Sequence, residues 1–416
     1  MKTNKLILLY TAILMLLSQT MWAKAVIFLA IPLLIILILK HYKINSLVVK
    51  KLLFLYLIFF IGLISAIPHL TDYDTYFLMR DMMYFIQAPM FILIGIYLYK
   101  EINDLKIILK TIVLTSFLIT VYDFYALILD PLLIFRLGLE TRYEFDLSNA
   151  TAVLAFVIIF YARKVNFKLF NNYFELLIML FSLLSVAISF SRTTYVLLLF
   201  ILFIPFIAKR GILFILYGAS VLLVLFTIFG GLVIDIKAGG VQGSTFESKL
   251  THSFDEMFVR DYDTSREVSH NWRGYEAFLG LSKYYEGNIF ELLFGQGYGA
   301  IVITPFWVFH GELLNTLPIF HNGYITIILK TGIVGLLFFF LFLYLLLKMV
   351  TKSVQTSINT EQVLTGRLLQ AIVFIIFFQT FVVHGLFFTT PPVLLLILTG
   401  VLIQFLAFER TIRMRV

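Results

Sequence analysis

Two kinds of residue stand where they can do chemistry: arginines beside apolar segments, and a histidine where a polar stretch meets one. Arg192 lies in Ser189-Phe190-Ser191-Arg192-Thr193-Thr194, between two apolar runs with almost no connection to hold it. Ionisable groups at membrane depth are costly and usually have a task. A guanidinium among two serines and two threonines suits phosphate oxygens, which it grips in bidentate fashion. The plainer alternative is an arginine snorkelling from a tight turn. His321 opens His321-Asn322-Gly323-Tyr324, at the start of another apolar run. A neutral imidazole there can take a proton from a hydroxyl. The N–H groups of a helix start also suit phosphate. A capping or interface histidine is the alternative. Arg260, Arg266 and Arg273 form a third group, any of which can be an ordinary solvated charge. Arg273 is distinguished by Trp272 and Tyr275 beside it, which set a cation near lipid headgroup level. Gly332 and Gly335, further into the run after His321, have the spacing of small residues that let spanning helices pack closely.

The elements that must position these residues follow from composition. Of 416 residues, 61% are hydrophobic and 13% charged. A soluble domain carries about a quarter charged residues, so lipid must cover much of this surface. Apolar runs lie near 6–22, 25–39, 52–67, 83–99, 107–129, 149–162, 174–190, 194–208, 212–234, 323–347, 368–386 and 391–408. Each must be helical, since a backbone in lipid has no outside partner for its polar groups. The shorter runs must extend into their flanks to reach the ~20 residues of a span. The expected fold is therefore an all-α integral membrane protein of about twelve transmembrane helices.

Charge sets the orientation. With the N-terminus inside, the inner segments hold Lys2 and Lys5, Lys40 to Lys51, Lys100 to Lys110, Arg163 to Lys168, Lys209 and Arg210, Lys348 to Arg367, and Arg410 to Arg415. The outer connections hold only Lys24, Arg80, Arg136, Arg142 and Arg192 apart from one long loop. This bias places both termini in the cytoplasm. The chain then divides into helices 1–9 over residues 1–234, a large extracytoplasmic loop over 235–320, and helices 10–12 over 321–416. A connection of that length is usually functional. Within it, Ser269 to Tyr285 has Trp272, Tyr275, Phe278 and Leu279 at helical spacing. Short helices are expected in the loop. Ala23-Lys24-Ala25 resembles a signal cleavage site, but a second apolar run follows at once and favours a retained first helix.

Several function classes drop out. There is no cysteine, so disulfides, thiolate metal sites and cysteine nucleophiles are excluded. The net charge of +8 is accounted for by topology, and no nucleic-acid module is visible. No phosphate-binding P-loop is present. Asp72-Tyr73-Asp74, in an early outer loop, has the look of a paired-acid metal site of the oligosaccharyltransferase kind; an ordinary acidic loop is the favoured reading.

Three motifs, in this order and on this side of the membrane, resemble the O-antigen polymerase and O-antigen ligase superfamily. They are Ser191-Arg192-Thr193; Arg273-Gly274-Tyr275 leading to Phe294-Gly295-Gln296-Gly297; and His321-Asn322 followed by Gly332-Ile333-Val334-Gly335. The resemblance covers residues 181–340 together with the helix count. It implies a membrane glycosyltransferase, without metal or cofactor, acting on polyprenyl-diphosphate-linked glycans at the outer face of the inner membrane. Arg192 and Arg273, with Arg266, would hold the diphosphate. His321 would assist the acceptor hydroxyl, and Asn322 and Tyr324 would contact substrate. One departure stands out: many relatives have a glutamate near this point in the helix, whereas this chain has Lys330-Thr331. The motifs are shared by polymerases, which build O-antigen or capsular polysaccharide, and by ligases, which transfer glycan to lipid A core. The form of the glycine turn and of His-Asn-Gly-Tyr favours a polymerase, for which a chain-length regulator is an expected partner. A flippase for lipid-linked oligosaccharides is the alternative of another class, since about twelve helices suits a transporter too.

Overall fold

The computed structural model describes residues 2–18, 25–41, 46–129, 139–188, 194–199, 201–202, 268, 272–309, 313–356, 359–382, 385–387 and 392–413. The described chain is mainly helical, as its apolar runs require. The described helices before the loop include α1 (Lys2–Leu17), α2 (Val26–Lys40), α3 (Ser46–Ala66), α4 (Thr75–Ile102), α5 (Leu105–Leu129), α6 (Leu139–Lys164) and α7 (Asn172–Ile188). The loop region contributes α8 (Trp272–Tyr285), α9 (Ile289–Phe294), and strands β1 (Val302–Phe309) and β2 (Leu313–Leu317). The chain closes with α10 (Gly323–Thr356), α11 (Thr360–Val382) and α12 (Val393–Arg413). Among the described residues, five helices are long and apolar enough to cross a membrane, within α3, α4, α5, α10 and α11, and four shorter apolar helices accompany them. The ninth apolar run, at 212–234, and the loop up to 267 lie outside the described residues.

The most enclosed span is α4, 78% of whose apolar window is buried. Its partner is α12, and two glycines bring the backbones together. A Cβ on Gly95 would sit 2.0 Å from the Ile397 carbonyl oxygen, and one on Gly400 would sit 2.0 Å from that of Ile92. Close approach through small residues is how spanning helices gain packing energy without a hydrophobic drive. At one end of the bundle the start of α1 and the ends of α2 and α4 meet. Lys40 Nζ lies 2.6 Å and His41 Nε2 2.7 Å from the Glu101 carboxylate, and Asn4 Nδ2 donates to the Glu101 carbonyl. The alternating directions required by an up-and-down bundle are thus realised over this part of the chain.

Two features depart from the sequence expectation. The fourth apolar run begins at 83, yet α4 begins at Thr75, capped by Asp74, whose Oδ1 accepts from the Tyr76 N–H at 2.8 Å. Arg80 and Asp81 therefore lie inside a helix and not in an outer connection. Both charges are compensated there, as described below. The loop also contains a β-hairpin where only short helices were expected. Its register runs Val302 to Leu317 and Ile303 to Thr316, is interrupted, then resumes with Val308 to Leu314 and Phe309 to Leu313. Pro305 falls in the interrupted stretch, where its missing N–H breaks no ladder bond. Val302 and Leu317 join Trp272, Tyr275, Phe320 and Leu329 in a second apolar core that seats the hairpin and α8 against the start of α10.

Candidate functional site

The site is organised by a break in α10. Gly332 has φ +64 and ψ −172, which no helix accommodates. A break at this point releases carbonyls one turn earlier from their intrahelical partners, and in an apolar interior these must be satisfied. The turn after α9 satisfies them. The Gln296 N–H donates to the Leu329 carbonyl at 2.8 Å, and the Gly297 N–H donates to that of Lys330 at 3.2 Å. The two segments leave no room for side chains between them. A Cβ on Gly332 would lie 2.3 Å from the Leu293 oxygen, and one on Gly295, itself at φ +84, would lie 2.4 Å from Thr331 N. The glycine turn and the Gly-x-x-Gly of α10, two separate signatures in the sequence, are thus two sides of one contact. The turn is tied to α3 as well. Ser65 Oγ donates to the Phe294 carbonyl at 2.8 Å, the Tyr298 N–H donates to that of Gly62 at 3.1 Å, and the Tyr298 hydroxyl to that of Phe59 at 3.0 Å.

Charge closes the same junction. Lys330 is fully buried, and its Nζ donates to Asp81 Oδ2 at 2.5 Å and to the Ala300 carbonyl. Asp81 Oδ2 also accepts from the Gly299 N–H at 3.0 Å, and Oδ1 from Arg80 Nη2 at 3.0 Å. The Arg80 guanidinium packs over the Phe77 ring at 4.8 Å, with Tyr84 and Tyr76 at 5.8 and 5.9 Å. Cation–π contact and a carboxylate together compensate this largely enclosed cation. In sequence Lys330 stands out only as a departure from the resembled family's glutamate. In the fold it is the partner of an acid on another helix.

At the mouth of α10 lies a second pair. Asn322 caps the helix, its Oδ1 accepting from the Tyr324 N–H at 3.0 Å. Just before it, His321 Nδ1 lies 2.6 Å from Glu276 Oε2, and the same oxygen accepts the His321 backbone N–H at 3.0 Å. The Glu276 side chain is 4% exposed and that of His321 25%. Glu276 belongs to α8, which approaches closely because Gly280, one turn on, packs against Ile325 and Phe320. An ionised carboxylate can only accept. A ring that carries a proton on Nδ1 would donate it to Glu276 Oε2. Glu276 was not singled out in the sequence, but a signal existed: an acid at i+4 from Trp272 and i−4 from Gly280, on the buried stripe of a short helix.

Arg273 lies on α8 one turn before Glu276, half-buried, between the buried Trp272 and Gly274. Residues one turn apart share a helix face, so the structure brings Arg273 and the Glu276–His321 pair to one element. Arg192, Arg260 and Arg266 lie outside the described residues. Three residues after Arg192 in the chain, the Tyr195 hydroxyl donates to the Ala187 carbonyl at 2.7 Å, linking α7 to the helical residues 194–199. Tyr324 points elsewhere: its hydroxyl donates to the Phe377 carbonyl of α11 at 2.9 Å, and its ring is surrounded by Phe339, Phe340, Phe377 and Phe381. Asp72 and Asp74 each accept a hydrogen bond from a near neighbour in the chain. Asp74 caps α4, Asp72 Oδ1 accepts from the Thr71 hydroxyl at 3.1 Å, and the Tyr73 hydroxyl donates to the Gln296 carbonyl at 2.9 Å. Burial, reinforced by Glu291 and Asp72, raises the Tyr73 hydroxyl far above the ordinary phenol range and keeps it a donor. Among the described residues no cluster of three or more acids and histidines is placed to hold a metal ion.

No protein-family model matches this chain, and no curated protein sequence matches it significantly.

Proposed function

We propose that this protein is a membrane glycosyltransferase that joins polyprenyl-diphosphate-linked oligosaccharide units into O-antigen or capsular polysaccharide. On this reading the chain spans the inner membrane about twelve times, with both termini in the cytoplasm and the 235–320 loop outside. The observation that carries the reading is the histidine–carboxylate pair at the mouth of α10, where His321 Nδ1 meets Glu276 Oε2 at 2.6 Å. It equips His321 Nε2 to take a proton from an acceptor sugar hydroxyl. As that oxygen bonds the anomeric carbon of the donor, the bond from this carbon to the diphosphate oxygen breaks, and the diphosphate leaves with the electron pair. Arg192 and Arg273, with Arg266, would stabilise the charge developing on the leaving group. The diphosphate is already a good leaving group, so no nucleotide site is called for. Transfer to a lipid A core sugar would use the same chemistry with another acceptor.

A transporter reading would draw on the break in α10, since broken helices line transport sites. Here the carbonyls released at the break accept from Gln296 and Gly297 N–H groups, so they are engaged by protein. That arrangement favours a fixed scaffold over a translocation path.

The test is complementation of a deletion strain with wild-type protein and with His321→Ala. Loss of a polymerase leaves single repeats on the core, whereas loss of a ligase leaves long lipid-linked chains. In purified protein, His321→Ala is expected to lose turnover per folded molecule by roughly 10²–10⁴-fold. Near-normal turnover per folded molecule would remove His321 from the chemistry.

A further inference from the structure

We infer that Glu276 is a positioning residue that fixes the tautomer and direction of His321 for the glycosyl transfer proposed above. Its own chemistry is not called on. The inference rests on that reading for the reaction, but its structural content stands apart from it.

Three observations lead to it. The first is geometric: one oxygen, Glu276 Oε2, meets both the backbone N and the ring Nδ1 of His321, at 3.0 and 2.6 Å. Two contacts to one residue fix both the backbone at the helix mouth and the ring about its χ angles, which one contact to the ring could not do. The second is the asymmetry of exposure, 4% for the carboxylate against 25% for the imidazole. The acid lies beneath the base, so the histidine is the member that can meet a hydroxyl from outside. The third is the support of Glu276 itself. Its neighbours on α8 are packed: Tyr275 and Ala277 are buried in the second core, and Gly280 is pressed on Phe320, the residue before His321. A carboxylate on so constrained a helix has little freedom to follow a moving partner. It therefore dictates the ring's position.

The chemical consequence is specific. A histidine that must accept a proton on Nε2 has to carry its resting proton on Nδ1. A buried acceptor beside Nδ1 selects that form. When Nε2 takes the hydroxyl proton, the ring becomes cationic, and an ionised neighbour favours the charged ring through a charge-assisted hydrogen bond. Glu276 thus acts through His321 at both stages without touching substrate.

The experiment uses the full-length protein in lipid nanodiscs, labelled with ¹⁵N-histidine, the His321 signals being assigned by their loss in His321→Ala. In neutral wild-type imidazole the proton is expected on Nδ1; a proton on Nε2 overturns the inference whatever any variant does. Glu276→Gln keeps the shape and an acceptor oxygen but removes the charge. It is expected to lower kcat about ten- to a hundredfold with KM unchanged. Glu276→Ala removes the acceptor too, and the Nδ1–H form should no longer dominate. Unchanged kcat in folded Glu276→Gln, or an unchanged tautomer in Glu276→Ala, would each overturn it. The tautomer needs no substrate. An Nδ1–H ring in a protein without glycan transfer would therefore leave the positioning intact and sink the transfer reading.

Discussion

Two carboxylates from different helices each hold one residue at or within the first turns of α10, and they do so in opposite ways. At the mouth, Glu276 lies under a histidine that is 25% exposed. Nine residues deeper in the chain, Asp81 meets a lysine that is fully enclosed, at 2.5 Å. The Lys330 ammonium makes its contacts inside the protein, to Asp81 and the Ala300 carbonyl, and the Asp81 oxygens also take Gly299 and Arg80. A pair whose members all face inward serves the fold. A pair with one member turned to the surface is available to a reaction. The deeper pair joins α4, the glycine turn and α10. It anchors the short first segment of α10, which ends at Gly332 and begins at the residue after Asn322. The lock and the candidate base are thus at opposite ends of one stretch of helix.

The largest expected effect comes from opening the lock. Lys330→Met leaves the Asp81 carboxylate buried with Gly299 and Arg80 alone to compensate it. Removing one member of a buried pair typically costs about 3–5 kcal/mol. The expected outcome is a sharp loss of extractable, monodisperse protein. Combining it with Asp81→Asn removes the stranded charge and should restore much of the yield. A Lys330→Met protein that accumulates and melts like wild type would mean that the pair does not lock the junction. A Lys330→Met protein that folds but lacks turnover would turn the comparison around, placing Lys330 with the reaction.

A smaller effect is expected at the break itself. Gly332→Ala puts a side chain at φ +64, where it would meet the Leu293 carbonyl. Strain of this kind costs of order 1–3 kcal/mol. Because backbone blocks the Cβ, the turn or the helix has to move. The variant should melt lower in a thermal scan and lose turnover, through displacement of the segment that carries His321. An alanine tolerated without change in either measurement would show that the break is incidental to the site.

How much of this was legible in the sequence differs by element for physical reasons. Five helices long and apolar enough to cross a membrane were legible because lipid demands long apolar runs, and α8 because Trp272, Tyr275, Phe278 and Leu279 recur at helical spacing. The start of α4 was not, because Arg80 and Asp81 look like a connection until their partners are known, and Lys330 is 249 residues from Asp81. The hairpin was missed since Val302 to Phe309 is apolar without strict alternation, a pattern that periodicity cannot assign. His321, Asn322 and Arg273 were singled out from the chain alone. Glu276 was not, since pairing across 45 residues leaves no local mark. The two glycine motifs could be seen but not joined. Only the fold shows that a backbone turn fills the gap opened by a broken helix.

The smallest effect concerns Tyr324, and it tests where the candidate site stops. The family resemblance places this residue among the substrate contacts, being three residues from His321. In the fold its hydroxyl donates to the Phe377 carbonyl at 2.9 Å, and its ring is packed by Phe339 and Phe340 of its own helix and by Phe377 and Phe381 of α11. Position on the helix explains the difference. Three residues are most of one turn, but His321 precedes the cap, where the chain has not yet taken the helical path. Its direction is set by Glu276 and not by the helix, so Tyr324 is free to face α11. Tyr324→Phe deletes one hydroxyl and keeps the aromatic packing. The loss should be that of one ordinary hydrogen bond, about 0.5–1.5 kcal/mol. A slightly lower melting temperature with KM and kcat both near wild type is the expected result. A severalfold rise in KM at unchanged melting temperature would instead place the hydroxyl against substrate. The candidate site would then extend along α10 toward α11, and the division between an outward pair for reaction and inward contacts for the fold would have to be redrawn.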